Sequence, residues 1–258
     1  MAKVGDEYKV QALFPLAVGE YNIELTDEEW ETVYRYRDPE YYRRYCRVAD
    51  GGGAIAYKAS PYASEEENYN QEVWDDDFRI LWVGLNLLRQ EEMKPIGDAI
   101  CAAATHYAQE VMGFEMNDNR CYLDVSDSWM IDLTASTNYP WNNHRKHNHS
   151  FAWLTGVFYL DDSDNGTVLH ATDERDNMYM PFMWPRKETQ HNMNHWNCFA
   201  ERGKMILFPS QVYHSIMNNQ DGSIRTCIAF NIWPYGELNA NNASMLNYGG
   251  QLNPKRST

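Results

Sequence analysis

The sequence lacks several features that would place a protein quickly in a class. Its five cysteines contain no Cys-x-x-Cys pair, and an odd number of widely spaced cysteines does not fit a disulfide framework. No apolar run approaches the roughly 18 residues that a membrane helix needs, and no basic-then-apolar leader opens the chain. We therefore expect reduced core thiols and a soluble, cytoplasmic protein.

Basic residues are also scarce. The chain has 22 lysines and arginines against 37 aspartates and glutamates, a formal net charge of -15. Such a field repels phosphate backbones and anionic membrane surfaces, so we expect neither nucleic acid nor a membrane as partner. A protein or small-molecule substrate fits the charge better, and homo-oligomerisation is left open.

The composition instead supports a folded, core-forming chain. It is 43% hydrophobic and 14% aromatic over 258 residues, which excludes a disordered protein. No internal repeat and no low-complexity linker divides it, so we predict a single domain over residues 1–258. Within it we expect a helical part at 1–118, a strand-rich core at 119–236 and a loose tail at 237–258.

Two helices are indicated in the N-terminal part. Thr26 is placed as an N-cap with Glu29 at the capping-box position, and this helix should end near Asp38-Pro39. Apolar residues at three- and four-residue steps predict a longer amphipathic helix from Leu81 to Phe114. Gly113 is placed to end it.

Short runs rich in β-forming residues dominate from Arg120 onward, split by turn residues. We predict that residues 161–166, Asp-Asp-Ser-Asp-Asn-Gly, form a hairpin turn. Helices followed by a ladder of strands indicate an α+β fold, with helices packed on one side of a β-sandwich or barrel. The predicted strands cover 121–125, 128–133, 151–160, 166–171, 204–208, 211–217 and 223–233.

Histidines give the first chemical signal, because five of the eight fall between His144 and His191. His147 and His149 are two residues apart, so on a β-strand their side chains share one face. A third imidazole, His214, returning from a distant strand would complete a facial metal site, since imidazole is the commonest ligand for such metals. If His149 is not a ligand, His144 and Asp132 are the next candidates.

The other histidines have an ordinary interpretation. We expect His106 to lie on a helix surface, because no second ligand follows it by four residues. The remaining ones are typical of solvated polar segments: His144, His170, His191 and His195.

The segment 139–160 resembles a known signature. It contains His147-x-His149, four further residues and then Leu-Thr-Gly-Val-Phe-Tyr, which is similar to the H-x-H-x-x-x-x-L-[ST]-G-V-[FY]-Y pattern of small phage and bacterial 2-oxoglutarate, Fe(II)-dependent oxygenases. The resemblance continues through 166–170, through 203–210 with His214, and through 225–231. It covers roughly residues 121–233.

The resemblance implies a double-stranded β-helix, the jelly-roll barrel whose open end holds the metal. It implies Fe(II) bound by His147, His149 and His214, with His149 in the place that a carboxylate usually occupies. Arg225 matches the anchor that binds the distal carboxylate of 2-oxoglutarate through a bidentate contact.

Three further residues complete the implied cosubstrate site. Tyr159 matches a position whose hydroxyl reaches the same carboxylate. Cys227 takes the place of a hydroxyl-bearing residue on the face of Arg225, and Asn231 lies farther along that face.

The implied function is an Fe(II)/2-oxoglutarate-dependent dioxygenase that uses O₂ to hydroxylate a protein or small-molecule substrate. Two alternatives stay open from the sequence. The chain could be a metal-binding phage structural or assembly component without turnover, or a zinc- or manganese-dependent cupin-type enzyme that does not need 2-oxoglutarate.

Overall fold

The structure is a computed structural model that describes residues 16–38, 41, 78–81, 86–114, 121–133, 146–170, 195–216, 225–238 and 246–248. The sequence also predicts an extended segment at 9–16, a second helix start near Glu40 and a surface loop at 57–75, and these lie wholly or largely outside the described residues. His144 and His191 lie outside them too.

The first helix, α1, spans Asp27–Arg37 and begins as predicted. The backbone N–H of Glu29 donates to Thr26 Oγ1, and the backbone N–H of Thr26 donates to the Glu29 carboxylate at 2.7 Å. Both members of the capping box therefore satisfy helix-end N–H groups that have no partner within the helix. The buried side of α1 presents Trp30, Val33 and Tyr36 to the sheet.

The second helix, α2, spans only Lys94–His106 and continues through a π-helical turn at Tyr107–Val111. The predicted helix start at Leu81 is wrong. Leu81 belongs to a strand, Phe78–Leu81, because its backbone pairs with Met130 and this tertiary pairing overrides the local apolar spacing. Gly113 ends the helical segment as predicted, with a φ of 69° that favours glycine.

Ten strands are present among the described residues. They are β1 Gly19–Asn22, β2 Phe78–Leu81, β3 Cys121–Leu133, β4 Leu154–Tyr159, β5 Ser163–His170, β6 His195–Ala200, β7 Lys204–Pro209, β8 His214–Ile216, β9 Arg225–Leu238 and β10 Leu246–Tyr248.

The strands form two antiparallel sheets. The larger sheet has the order β1-β7-β4-β9-β3-β2, with β10 paired to β9, and the smaller one has the order β6-β5-β8. Several neighbouring strands are distant in sequence, such as β4 with β9 and β1 with β7, as in a jelly roll. The fold is α+β with a double-stranded β-helix core and N-terminal helices packed against it, which confirms the predicted class.

Two apolar layers explain this arrangement. One lies between the helices and the outer face of the larger sheet, and includes Trp30, Ile100 and Phe230. The other fills the space between the two sheets, and includes Phe208 and Ile216. Within the described residues, no helix is both long and apolar enough to cross a bilayer.

Three predictions about strand boundaries are corrected. The two runs at 121–125 and 128–133 form one strand, β3, because Ser126 is accommodated by a β-bulge instead of a turn. Strand β5 already begins at Ser163, so the predicted hairpin turn at 161–166 is confined to its first two residues. The tail is not loose throughout, because β9 runs to Leu238 and β10 pairs with it.

Candidate metal centre

His147 and His214 are brought together by backbone pairing. The N–H of His147 donates to the carbonyl of His214 at 3.0 Å, and the N–H of His214 donates to the carbonyl of His147 at 2.8 Å. Residues paired directly across an antiparallel ladder present their side chains to the same face. The two rings therefore lie side by side, with centroids 4.3 Å apart.

His149 joins the pair from the same segment as His147. Its backbone N–H donates to the carbonyl of Ser210 at 2.9 Å, which fixes the segment against the end of β7. The His149 ring centroid lies 5.0 Å from that of His214 and 5.3 Å from that of His147. One ring nitrogen from each of the three histidines lies within 4.8 Å of the others, a spacing that one metal ion can bridge.

Hydrogen bonds set the tautomers of two of these rings. Nδ1 of His149 lies 2.5 Å from Oδ1 of Asn231, and Nδ1 of His214 lies 3.1 Å from the carbonyl oxygen of Val212. Both partners are acceptors, so each Nδ1 carries the proton and each Nε2 keeps a lone pair for a metal.

Thr155 supports the same arrangement. Its hydroxyl donates to Oδ1 of Asn231 at 2.8 Å and lies 3.0 Å from Nδ1 of His149. Burial lowers the pKa of His149, although the hydrogen bond with Asn231 opposes this effect. The neutral imidazole that binds a metal is thereby favoured.

Arg225 lies in the same cavity and is 1% exposed. Among the described residues, no hydrogen-bond partner is within reach of its Nε or Nη1. Its Nη2 donates to the Cys227 thiol at 3.6 Å, and its guanidinium carbon lies 5.3 Å from the centre of the Tyr159 ring. A buried cation with unused N–H groups is costly unless an anion satisfies them.

The hydroxyl of Tyr159 is hydrogen-bonded to the smaller sheet. It donates to Oγ1 of Thr167 at 2.8 Å, and burial raises the pKa of Tyr159. The ring of Tyr159 thus packs against Arg225, while its hydroxyl donates a hydrogen bond to Thr167 of β5. Burial also raises the pKa of the Cys227 thiol.

The cavity lies between the sheets, with the partly exposed His147 and His149 and the fully buried Arg225 all in its lining. Its lining is mixed, with an apolar floor and the polar groups described above. The lining residues are Trp129, Ile131, His147, His149, Thr155, Gly156, Val157, Thr167, Phe208, His214, Ser215, Ile216, Arg225, Cys227 and Ala229.

These residues fit a metal together with an acidic ligand. Three imidazoles converge in this cavity, and two of them are fixed with Nε2 available. The unsatisfied N–H groups of Arg225 line the same cavity and suit a carboxylate. The site therefore has the donors for both groups.

The structure brings most of the predicted site residues together. The histidine triad, Arg225 and Cys227 line one cavity, with Tyr159 buried behind the guanidinium. Asp132, the fallback ligand, is instead bonded to Thr226 at 2.8 Å and to Arg37 at 3.4 Å. His170 and His195 lie on strands β5 and β6, where His170 Nε2 is 2.9 Å from Ser215 Oγ.

The sequence did not indicate which residues orient the candidate metal ligands. Asn231 was expected to line the cosubstrate pocket, yet its amide oxygen bonds to His149. Thr155 was not singled out, although it lies inside the resembling motif. The contacts of Asn231 and Thr155 with His149 depend on the register of β4 with β9, which pairs Thr155 with Asn231. This register cannot be predicted from the sequence of either strand alone.

Comparisons with known proteins agree with this geometry. Residues 127–231 match the model of a family described as “Putative 2OG-Fe(II) oxygenase”. No curated protein matches the chain in sequence.

Solved structures share the fold at low sequence identity. The non-heme alpha ketoglutarate dependent epimerase SnoN from nogalamycin biosynthesis is 12% identical, with a TM-score of 0.52 over 93% of this chain and 92% of that chain. Its complex with Fe³⁺, alpha ketoglutarate and nogalamycin RO gives a TM-score of 0.51 at 12% identity, over 93% of each chain. HygX from Streptomyces hygroscopicus, with nickel and 2-oxoglutarate bound, is 11% identical, with a TM-score of 0.44 over 88% of each chain.

Proposed function

We propose that the chain is a 2-oxoglutarate-dependent dioxygenase that hydroxylates a C–H bond of its substrate, a proposal supported by the match of residues 127–231 to a 2OG-Fe(II) oxygenase family. The cofactors of this family are Fe(II) and 2-oxoglutarate, with O₂ as the oxidant. Together they supply the power to remove a hydrogen atom from carbon and return oxygen to it, while 2-oxoglutarate becomes succinate and CO₂.

The chain's own residues have three tasks in this proposal. His147, His149 and His214 hold the metal on one face, which leaves other coordination positions open. Arg225 binds the distal carboxylate of 2-oxoglutarate and so orients it. The apolar floor of the cavity, including Ile131 and Val157, keeps water away from the reacting atoms.

The observation that carries the proposal is the buried, incompletely bonded guanidinium of Arg225. A metal-binding component without turnover has no use for a second, cationic subsite in the same cavity. An acidic cosubstrate does, because it compensates a charge whose removal from water is otherwise costly. This favours the dioxygenase over both the non-enzymatic module and a cupin-type enzyme that does not use 2-oxoglutarate.

The experiment is calorimetric titration of 2-oxoglutarate into the anaerobic, iron-loaded protein. Arg225→Leu should weaken binding at least about tenfold, since about 1.4 kcal/mol suffices for that and loss of one partner of a buried charge pair costs about 2–5 kcal/mol. Arg225→Lys should restore only part of the affinity, because an ammonium cannot form two parallel bonds.

Iron content, measured on the same samples, should be equal in wild type and both variants. Equal 2-oxoglutarate affinity in wild type and Arg225→Leu would overturn the anchor role. Absence of 2-oxoglutarate binding to the wild type would overturn the proposed function. Once a substrate is found, a mass gain of one oxygen atom distinguishes hydroxylation from epimerisation, the activity that names SnoN.

A further inference from the structure

Two positions that the family resemblance assigns to hydroxyl groups do not bring a hydroxyl to the cavity. The first holds Cys227, whose thiol accepts from Nη2 of Arg225 at 3.6 Å. The second is Tyr159, which is fully buried and is absent from the described residues that line the cavity. A hydroxyl donor for a carboxylate beside Arg225 must therefore come from another residue.

Thr167 brings a hydroxyl to the cavity from the smaller sheet. It lies on β5, where it pairs with Cys198 of β6 and with Ile216 of β8. Both partners are buried in the apolar layer between the two sheets, and residues in one cross-strand row share a face. Thr167 therefore faces the interior, where it is buried and lines the same cavity as Arg225.

The hydroxyl hydrogen of Thr167 is available to a ligand. The Tyr159 hydroxyl lies 2.8 Å from Oγ1 of Thr167 and 3.4 Å from the carbonyl oxygen of Cys198, so its single hydrogen is donated over the shorter distance. Oγ1 of Thr167 accepts in that bond, and Tyr159 is its one hydrogen-bond partner among the described residues. The hydrogen of Thr167 then has the cavity as the place to find an acceptor, since leaving a buried donor unpaired is costly.

Two other hydroxyl-bearing residues of the cavity wall are bonded elsewhere. The Thr155 hydroxyl donates to Oδ1 of Asn231 at 2.8 Å, next to the histidines. Oγ of Ser215 lies 2.9 Å from Nε2 of His170. Adjacent residues of a strand point to opposite faces, so the Ser215 side chain does not share the inward face of its buried neighbours on β8. Thr167 remains as the hydroxyl donor of the cavity.

Tyr159 holds Arg225 and Thr167 on either side of one aromatic side chain. Its backbone pairs with Cys227 of β9, and its side chain crosses from the larger sheet to β5 of the smaller one. The guanidinium carbon lies 5.3 Å from the ring centre, while the phenolic hydroxyl donates to Thr167. A single rigid side chain thus sets the spacing between a cation on one sheet and a hydroxyl on the other.

We propose that Thr167, together with Arg225, donates a hydrogen bond to the distal carboxylate of 2-oxoglutarate, and that Tyr159 is the positioning residue that directs the Thr167 hydroxyl. This rests on the proposed function, and it replaces the direct contact that the resemblance assigns to Tyr159. A hydroxyl that donates to a carboxylate forms a charge-assisted bond, which is stronger than a bond between neutral groups. Thr167 thereby helps to select a 2-oxo acid that carries a second carboxylate.

The test compares two 2-oxo acids of equal chain length on the anaerobic, iron-loaded protein. 2-Oxoglutarate carries the distal carboxylate, whereas 2-oxopentanoate ends in a methyl group. Direct and competition calorimetry give the affinity of the wild type and of each variant for both acids. Thr167→Val replaces the hydroxyl by a methyl group of similar size, and Thr167→Ser keeps the hydroxyl as the matched control.

Thr167→Val should weaken 2-oxoglutarate binding about tenfold, the order expected for losing a hydrogen bond to a charged group, and should leave 2-oxopentanoate binding unchanged. Thr167→Ala should repeat this selective loss, and Thr167→Ser should bind both acids as the wild type does. Tyr159→Phe should weaken 2-oxoglutarate binding by a smaller factor. It should add no loss in the Thr167→Val background, because Tyr159 acts through that hydroxyl.

The outcomes separate a binding role of Thr167 from a structural one. Equal losses for both acids in Thr167→Val would assign a structural role and overturn the proposal, and so would wild-type affinity of Thr167→Val for 2-oxoglutarate. A Tyr159→Phe loss that persists undiminished in the Thr167→Val background would make Tyr159 the direct donor and also overturn it. These outcomes leave the proposed function intact, whereas absence of 2-oxoglutarate binding to the wild type overturns both.

Discussion

The amide oxygen of Asn231 lies 2.5 Å from Nδ1 of His149, so a residue of β9 supports a candidate metal ligand carried by the segment before β4. Thr155 of β4 donates to the same oxygen at 2.8 Å. Strands β4 and β9 thus share one polar cluster next to the candidate metal centre. The cluster fixes both the tautomer and the orientation of the His149 ring.

Replacement of Asn231 by alanine should lower metal affinity by about 10–100-fold, the usual effect of removing a group that orients a ligand. Asn231→Asp is the matched control, because its carboxylate still accepts from Nδ1 at the same position and should retain most of the affinity. Competition with a fluorescent chelator under anaerobic conditions measures both. If Asn231→Ala binds Fe(II) as tightly as the wild type, the hydrogen bond does not support the ligand.

Removal of one candidate metal ligand should abolish the stabilisation of the folded protein by the metal. A metal that binds only the folded state adds about 2.7 kcal/mol at a free concentration 100 times its Kd. Thermal unfolding of the wild type should therefore shift upward with Fe(II), and that of His214→Ala should not, because two imidazoles make a poor site. His106→Ala, which removes an exposed helix histidine, should keep the full shift. A metal-induced shift that persists in His214→Ala would contradict the assignment.

The features of this site that depend on a few neighbouring residues could be predicted from the sequence. The features that depend on long-range strand pairing could not. The alternation of His147 and His149 on an extended segment is a property of a few residues, and the resemblance supplied His214 and Arg225. The Ser126 bulge was not foreseeable, because Ser and Asp at 126–127 are equally typical of a turn between two strands. The pairing of β3 with β9 on both sides of Ser126 makes this segment a bulge and not a turn.

The same distinction explains which helix boundary was predicted correctly and which was not. Thr26 and Glu29 cap α1 through bonds within four residues, so the helix start was predictable. Leu81 fits an apolar helical spacing, but its backbone pairs with Met130, some fifty positions away. Long-range pairing of this kind leaves no mark in the local sequence.

A second polar cluster holds the strand end from which Arg225 projects. Thr226 donates through its hydroxyl to Asp132 at 2.8 Å and through its backbone N–H to Asp161 at 3.0 Å. Arg37, the last residue of α1, lies 3.4 Å from each of these carboxylates. The N-terminal helix is thereby connected to the residue next to the proposed cosubstrate anchor.

Arg37→Ala should lower the free energy of unfolding by about 1–3 kcal/mol, since it removes an ion pair from the buried Asp132 carboxylate. It should also weaken 2-oxoglutarate binding, because the start of β9 loses a constraint. Arg35→Ala is the control, as its pair with Glu92 is about half exposed on both sides and should contribute under about 1 kcal/mol. Urea denaturation compares them, and equal losses in both variants would contradict the role of Arg37.

The raised pKa of Asp127 leads to a prediction about stability and pH. Its carboxyl is more easily protonated in the folded protein than in the unfolded chain, chiefly because burial disfavours the charged form. Between the unfolded value of about 3.9 and the higher folded value, the folded state binds more protons, so stability falls as pH rises through that window. Above it, the full destabilising contribution of the ionised carboxylate is present.

Asp127→Asn should therefore be more stable than the wild type at pH 7, and this advantage should shrink and disappear as the pH is lowered to about 4. The asparagine keeps the shape and an acceptor oxygen for the Ser128 backbone while removing the desolvated charge. Thermal unfolding of the metal-free proteins across pH 4–8 measures the difference. Asp164→Asn, at an exposed position, should show no such gain. If Asp127→Asn is less stable than the wild type at pH 7, the ionised carboxylate is stabilised within the fold and the prediction is wrong.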